Sequence, residues 1–343
     1  MDGQQVTSIP ELTARVEAIF RGAGFSADHA DALSRVLVAG ERDGCKSHGI
    51  YRVEGCLRTL KRGKVVADAV PVVSADDSAI VRVNAAGGFS NAAFEAGLPK
   101  LVERTRTLGV AAMVINDCTH FAALWPEIEA ITEHGLAALA MCPSYATVAP
   151  VGGREPLLGT NPLAFGWPRR GHPFVFDFAT SVAARGEIEL RRRAGETLPA
   201  GWALGPDGSP TENPEEALAG AMLPFGGHKG SAISTMIELL AGAMIGDLTS
   251  REALDWLGDT SLSPSHGELI LAFDPARFAA GREGSPEARA EMLFDAIVGQ
   301  GARLPSQRRF AARETAETDG IVLTAEEDAQ LERLEREGLA AVS

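Results

Sequence analysis

The sequence predicts a mixed α/β fold, and three observations support that prediction. The 343 residues are 45% hydrophobic and 23% charged, which is ordinary for a globular protein. Apolar residues recur at helical spacing behind capping residues near both ends of the chain. Between those ends, short apolar runs finish in polar residues, as buried strands do at a binding cleft. A chain of this length has room for more than one lobe.

Charge and hydropathy argue against two classes of partner. The formal net charge is −14, and no clustered basic face supplies the cations that a nucleic-acid binder needs. The longest apolar run, residues 232–245, is interrupted by Glu238 and is too short to cross a bilayer. Residues 1–7 lack a secretion signal, and the four cysteines show no CxxC spacing. We therefore expect a soluble cytoplasmic protein with reduced thiols, which binds neither nucleic acid nor membrane.

Capping residues predict two helices at the N-terminus. Ser8 and Glu11 form a capping box before a helix that stops near Gly22. Ser26 starts a second helix, which ends near Gly44. The two helices should pack together through their apolar faces.

The C-terminal part of the chain predicts two further helices. Ser285 and Pro286 open a helix that runs to Val298. Thr324 caps a final amphipathic helix, whose Leu331 is expected to pack on the N-terminal helices.

The middle of the chain alternates predicted strands with predicted helices. The predicted strands are residues 72–73, 80–83, 111–115, 136–142, 159–165 and 174–181. The predicted helices among them are residues 94–108 and 126–134. Residues 191–220 are rich in Arg, Gly, Pro and Glu, and we expect them to form an exposed excursion.

The segment from Ser47 to Arg52 is the first candidate for chemistry. If a helix starts near Ser47, His48 and Arg52 lie four residues apart and project from one face. An imidazole exchanges protons near neutral pH, and a guanidinium binds carboxylates through two parallel hydrogen bonds. Ser47 then caps the helix or holds the imidazole. The alternative is a surface helix with a capping serine and a solvated arginine.

Two basic segments are candidate anion sites. His228 and Lys229 follow two glycines at the start of a long apolar helix that runs to Ile245, where free backbone amides receive an anion. The alternative there is a flexible loop before a core helix. Residues 301–309 are among the most basic loops and could clamp a phosphate, or they are simply solvated charge. No HExxH, GxGxxG or P-loop motif occurs, so the sequence supports neither a metal site nor a Rossmann site.

Six motifs, in this order, are similar to those of the non-Rossmann malate/L-lactate dehydrogenase superfamily, and most resemble its Δ1-piperideine-2-carboxylate/Δ1-pyrroline-2-carboxylate reductases. The resemblance covers nearly the whole chain. The motifs are Ser-His-Gly-x-x-Arg at 47–52, Thr-His-Phe-Ala-Ala-Leu-Trp-Pro at 119–126, Gly-Thr-Asn-Pro at 159–162, Asp-x-Ala-Thr-Ser at 177–181, Pro-Phe-Gly-Gly-His-Lys-Gly at 224–230 and Arg-Leu-Pro-Ser-Gln-Arg-Arg at 303–309.

The resemblance implies a homodimeric NADPH-dependent reductase with a mixed α/β, non-Rossmann cofactor fold. Residues 1–115, completed by 291–343, would form a helical N/C-terminal and substrate lobe. Residues 116–290 would form the NADPH-binding domain. The residues implied to bind NADPH are His120, Phe121, Ala122, Ala123, Leu124, Asp177, Phe178, Ala179, Thr180, His228, Lys229, Gly301, Ala302, Arg303, Leu304, Pro305, Ser306 and Gln307.

The resemblance also implies the substrate and its chemistry. Arg52 and Thr160 would bind a small cyclic ketimine carboxylate, with Arg185 and Gly186 nearby. His48 would donate the proton, assisted by Ser47 and Glu187. The family's keto-acid members tend to have lysine at the position of Glu187, whereas its imine reductases have an acid, usually aspartate. An acid there favours a protonated C=N bond or imidazolium, whereas a lysine would polarise a ketone oxygen.

Two other functions remain open from the sequence. A 2-hydroxy-acid dehydrogenase acting on malate, lactate or ureidoglycolate would share the fold and would favour pyruvate or oxaloacetate over the imine. A non-catalytic metabolite-binding member would bind NADPH without turnover. The joint presence of His48, Arg52, Asp177 and Lys229 argues for an enzyme.

Overall fold

The architecture is a mixed sheet flanked by helices, seen in a computed structural model that describes residues 5–121 and 123–343. The strands are β1 (Gln5–Thr7), β2 (Val72–Ala75), β3 (Ile80–Asn84), β4 (Val110–Thr119), β5 (Ala137–Met141), β6 (Leu163–Trp167), β7 (Phe174–Phe178), β8 (Ala203–Leu204), β9 (Pro210–Thr211), β10 (Ala221–Met222), β11 (Ser265–Phe273) and β12 (Ile321–Leu323). The helices are α1 (Ile9–Gly22), α2 (Ala27–Arg42), α3 (Val53–Lys61), α4 (Ser90–Leu108), α5 (Trp125–Thr132), α6 (Arg185–Ala194), α7 (Pro214–Ala219), α8 (His228–Glu238), α9 (Ser250–Leu257), α10 (Pro275–Phe278), α11 (Pro286–Val298), α12 (Gln307–Asp319) and α13 (Ala325–Glu337).

The main sheet has seven strands in the order β2-β3-β4-β11-β5-β6-β7. Only the β3–β4 pair is parallel, and the other neighbours are antiparallel. A doubly wound dinucleotide fold has a mostly parallel sheet. The expected mixed α/β, non-Rossmann fold is therefore confirmed.

The central strand β11 is absent from the predictions made on sequence. Its Ile270 lies opposite Met113 of β4 and Ala140 of β5, so it joins the two halves of the sheet. The strand also carries His266 and Glu268, and both side chains are buried. Those polar residues interrupt the apolar run by which a buried strand is recognised.

The helical lobe forms as predicted from both ends of the chain. Ser8 and Thr324 make the expected capping boxes, and Ser26 caps α2. Leu12 of α1 and Leu331 of α13 are buried in one core cluster. β1 and β12 extend this contact as an antiparallel pair.

The proposed lobe boundary between residues 115 and 116 falls inside β4, which belongs to the main sheet together with β2 and β3. The division into lobes therefore stays a prediction. Among the described residues, no helix has both the length and the apolar character needed to cross a membrane.

Residues 191–220 are mostly exposed, as expected, but they contain regular structure and a few buried apolar residues. These residues contain α7, β8 and β9, and β8 and β9 form a small sheet with β10. Leu198, Ala203 and Ala217 are buried in a cluster of their own. In the sequence, the many turn residues and charges of this segment make its few buried apolar residues hard to recognise.

The expectation of a regular helix that starts at Ser47 is wrong. Lys46–His48 and Ile50–Arg52 form two 3₁₀ turns, and α3 begins only at Val53. The bend at Gly49 is tight because any Cβ there would collide with the carboxylate of Glu41. That carboxylate accepts a hydrogen bond from the backbone N–H of Ile50 at 2.8 Å. The end of α2 therefore positions the segment that carries His48.

A buried ion network joins α2, α5 and α12. Asp43 accepts hydrogen bonds from Arg309 at 3.0 Å and from Arg313 at 2.5 Å, and both arginines also pair with Glu129. Burial by itself would raise the pKa of Asp43, but the hydrogen bonds from Arg313 and Arg42 lower it to about 2. The alternative that residues 301–309 are simply solvated charge is wrong for Arg309, which is buried in α12.

Asp43→Asn is expected to lower the free energy of unfolding by roughly 3 kcal/mol or more, because it leaves two buried guanidinium groups short of a counter-charge. Urea unfolding followed by circular dichroism measures the change. Asp31→Asn is the matched control, since Asp31 pairs with Arg35 at 2.8 Å on the surface and should cost below about 1 kcal/mol. Equal effects of the two variants would contradict a structural role for the network.

Candidate active site

A cavity of about 500 Å³ brings together residues from five of the six sequence motifs. The predicted site residues that line it are Ser47, His48, Arg52, Phe121, Thr160, Asp177, Phe178, Ala179, Arg185, Glu187 and Ser306. These residues lie up to 259 positions apart in the sequence and meet because the helical lobe packs on the sheet edge.

His48 lies in the wall of the cavity, half-buried, with a defined orientation. Its Nδ1 is 3.0 Å from Ser47 Oγ, and its ring meets the Trp125 ring edge-on at 6.2 Å between centroids. Ser47 therefore holds the imidazole, which is one of the two roles considered for it. Trp125 stands at the start of α5 and was not predicted as a site residue.

Arg52 lines the same cavity as His48, and a hydrogen bond to the backbone orients its guanidinium group. Its Nε donates a hydrogen bond to the carbonyl of Ser47 at 2.8 Å. Among the described residues, its two Nη atoms have no hydrogen-bond acceptor, and they are the pair that grips a carboxylate in parallel. The guanidinium is thus oriented before any ligand arrives.

Gly186 allows the start of α6 to approach this arginine closely. A Cβ at Gly186 would lie 2.6 Å from Tyr51 Oη and 3.4 Å from an Nη atom of Arg52. Its neighbour Arg185 donates to Thr260 Oγ1 at 3.0 Å. Gly186 therefore acts through its lack of a side chain, and Arg185 is anchored to the protein.

Glu187 lines the same cavity as His48. It is half-exposed and forms an ion pair with Arg191 of the same helix at 3.6 Å. The predicted assistance of His48 by this carboxylate stays a prediction.

Thr160 is positioned by the buried residue that follows it. Asn161 adopts a left-handed conformation with φ of 33°, and its Nδ2 donates to Glu238 Oε1 at 2.7 Å. Ser250 donates to the Asn161 side-chain oxygen at 3.1 Å. The Gly-Thr-Asn-Pro motif thus anchors Thr160 to α8 and α9, while Thr160 itself faces the cavity.

Asp177 lies at the end of β7 and caps α5. Its Oδ2 accepts hydrogen bonds from the backbone N–H groups of Leu124 and Trp125 at 2.9 and 3.0 Å. Burial raises the pKa of Asp177 to about 6, against the opposing effect of these two hydrogen bonds. A carboxylate at a helix N-terminus is also favoured by the helix dipole.

Several predicted cofactor residues do not line this cavity. His120, Ala123, Leu124, Thr180 and Leu304 are buried in the protein interior. His228 and Lys229 are exposed at the start of α8, and Gly301, Ala302, Arg303, Pro305 and Gln307 are exposed before and at the start of α12. Ala122 lies outside the described residues. Whether these residues contact a cofactor stays a prediction.

Further residues of the cavity wall received no individual role in the sequence analysis, although Arg308 lies in the basic segment predicted as an anion site. Trp125, Ser144, Tyr145 and Arg308 all line the cavity. Tyr145 donates to the carbonyl of Thr260 at 2.9 Å, which orients its ring. The signal was available for three of them, since Ser144 and Tyr145 follow the predicted strand 136–142 and Arg308 lies in the predicted basic segment.

The chain matches known proteins over nearly its full length. A model of the family "Malate/L-lactate dehydrogenase" matches residues 7–332. A Delta(1)-pyrroline-2-carboxylate reductase of Agrobacterium fabrum is 67% identical over 100% of both chains. A Delta(1)-pyrroline-2-carboxylate/Delta(1)-piperideine-2-carboxylate reductase of Pseudomonas aeruginosa is 56% identical over 92% of this chain and 94% of the relative. The solved delta1-piperideine-2-carboxylate reductase of Pseudomonas syringae pvar. tomato shows a TM-score of 0.91 at 42% identity, covering 96% of this chain and 99% of that one.

The raised pKa of Asp177 predicts a pH dependence of stability. When a carboxyl group has a higher pKa in the folded state than in the unfolded chain, its protonated form favours folding at pH values below the unfolded pKa of 3.8. That contribution to the free energy of unfolding disappears as the pH rises from 3.8 through about 6. Asp177→Asn retains an oxygen for the two amides but does not titrate. Relative to this variant, the native chain should therefore lose stability across that pH interval in urea unfolding. A constant difference would show that the carboxyl titrates normally.

Proposed function

Because the chain belongs to the malate/L-lactate dehydrogenase family, we propose that it reduces cyclic ketimine carboxylates, with NADPH as the electron donor. The substrates are Δ1-piperideine-2-carboxylate and Δ1-pyrroline-2-carboxylate, and the products are L-pipecolate and L-proline. The names of the relatives at 67% and 56% identity support the reaction class. The observation that carries the proposal is one cavity lined by His48, Arg52 and Glu187.

Arg52 fixes the substrate through its carboxylate. The hydrogen bond from Nε to Ser47 leaves the Nη pair directed for a bidentate contact. Thr160 lines the same cavity and supplies a hydroxyl next to this position. An anchored carboxylate restricts the ring to one orientation, which lowers the entropic cost of reaction.

His48 supplies the proton. Reduction adds a hydride to C2 and a proton to the ring nitrogen, so that the C=N bond becomes CH–NH. Ser47 lies 3.0 Å from Nδ1 and fixes the orientation of the ring. We assign the proton exchange with substrate to Nε2. Glu187 adds negative charge to the cavity and stabilises an iminium or imidazolium cation there.

NADPH supplies the hydride when bound, and the residues around the cavity fit an anionic cofactor. His228 and Lys229 stand exposed at the N-terminus of α8, where backbone amides favour phosphate. Arg308 lines the cavity and is exposed, whereas Arg309 is committed to its ion network. Arg308 is therefore the cation we assign to the 2′-phosphate, which distinguishes NADPH from NADH.

The homodimer also belongs to this proposal. Met236, Leu239 and Met244 are exposed apolar side chains on or next to α8. Such residues are common at the core of interfaces between copies. Light scattering of the purified chain determines the number of copies.

The decisive experiment follows oxidation of NADPH and, separately, NADH in the presence of Δ1-piperideine-2-carboxylate or pyruvate. We expect fast oxidation of NADPH with the cyclic imine and little with pyruvate. Preference for pyruvate would replace the proposal with a 2-hydroxy-acid dehydrogenase. Binding of NADPH, seen as enhanced fluorescence, without turnover of either substrate would indicate a non-catalytic protein.

His48→Ala is expected to lower kcat for the cyclic imine by roughly 10²–10⁴-fold, because it removes the general acid. The KM should change little, since Arg52 remains to bind the carboxylate. His134→Ala is the matched control, because His134 is exposed beyond the end of α5. If both variants turn over at the native rate, His48 has no part in proton transfer.

A further inference from the structure

Beyond the cavity wall, three residues to which the proposed reaction assigns no proton transfer or substrate contact meet in the protein interior. His120 follows β4, Glu127 lies in α5 and Glu268 lies in β11. Their exposed fractions are 2%, 3% and 0%. One side-chain donor atom of each lies within 4.8 Å of the other two. No sequence motif linked these residues, because they come from separate elements.

The distances in this triad are longer than direct hydrogen bonds and are compatible with coordination to a shared ion. His120 Nε2 lies 3.5 Å from Glu268 Oε2 and 3.7 Å from Glu127 Oε1. A direct hydrogen bond between an imidazolium and a carboxylate is about 2.7–2.9 Å long. Ligand atoms at about 2.0–2.2 Å from a tetrahedral metal ion are separated by roughly 3.4 Å, close to the observed values.

The two carboxylates of the triad share one charged partner, the imidazole of His120. Among the described residues, no other side chain or backbone group donates a hydrogen bond to an oxygen of Glu127 or Glu268. Burying two carboxylates against a single imidazole leaves one negative charge uncompensated, which is unfavourable by several kcal/mol. A divalent cation would neutralise both carboxylates and leave the imidazole neutral, which removes this penalty.

We propose that His120, Glu127 and Glu268 bind one divalent first-row transition-metal ion, such as Zn²⁺ or Mn²⁺. One imidazole and two carboxylates form a ligand set that both ions accept. The burial of all three ligands assigns the ion a structural role, because it would join β4, α5 and β11 at one point. Phe121 and Trp125 flank these ligands in sequence and line the cavity, so the ion would also fix the cavity wall.

The test measures metal content in the full-length protein, independently of turnover. The chain is produced in medium supplemented with Zn²⁺ and Mn²⁺, purified by gel filtration and analysed by inductively coupled plasma mass spectrometry. We expect about one ion per chain in the native protein and a loss of about tenfold or more in Glu268→Gln. Glu238→Gln, which changes a buried glutamate outside the triad, should retain the ion.

A second measurement avoids dependence on a variant that fails to fold. Replacement of the ion by Co²⁺ in the native chain should produce the visible absorption of a Co²⁺ ion bound to nitrogen and oxygen, and removal by a chelator should lower the melting temperature. Metal-free native protein with no Co²⁺ absorption would overturn the proposal. The triad would then be neutralised by protons, since burial and the charge of Glu268 raise the pKa of Glu127. Neither result depends on the substrate or on NADPH.

Discussion

The buried ion network around Asp43 is the constraint on which the geometry of the site depends. Arg309 reaches Asp43 from α12 and also lies over the Trp125 ring at 5.2 Å from its centroid. The His48 ring also contacts the Trp125 ring, in an edge-on arrangement. Asp43 itself is the C-cap residue of α2 and precedes the segment that carries His48. A single network therefore sets both the backbone that leads to the imidazole and the ring against which it packs.

The local features of this fold were predictable, whereas the contacts between distant segments were not. Ser8, Ser26 and Thr324 act on amides within three residues, so their sequence context alone determines the helix starts. The site motifs were recognisable for a similar reason, since polar residues at strand ends reach a cleft. β11 was missed because its buried His266 and Glu268 face groups from distant segments, which no local pattern reveals. Arg309 was misjudged for the same reason: only the fold shows that Asp43 lies beside it.

Close backbone approach explains why the site motifs contain glycine. Gly186 brings the start of α6 against Tyr51 and Arg52, and Gly49 brings the 3₁₀ turns against Glu41. Neither glycine adopts a positive φ, so glycine is needed at these positions because it lacks a Cβ and not because of its backbone freedom. The predicted contact of Gly186 with substrate stays a prediction. The structure shows that its lack of a side chain lets the start of α6 lie against Arg52.

The charge of Glu187 acts at a defined stage of the proposed reaction. An imine nitrogen carries positive charge when protonated and becomes neutral as hydride reaches C2, so a nearby carboxylate stabilises the iminium ground state more than the product. A ketone follows the opposite course, because its oxygen becomes negative and requires a cation or proton donor. The carboxylate therefore contributes by raising the population of protonated imine in the cavity, which a nitrogen substrate needs and an oxygen substrate cannot use. The ion pair with Arg191 at 3.6 Å moderates this charge without removing it, since Glu187 is half-exposed and still lines the cavity. In the proposed reaction, discrimination between imine and ketone therefore follows from electrostatics at one position, while Arg52 is assigned to the carboxylate that both substrates share.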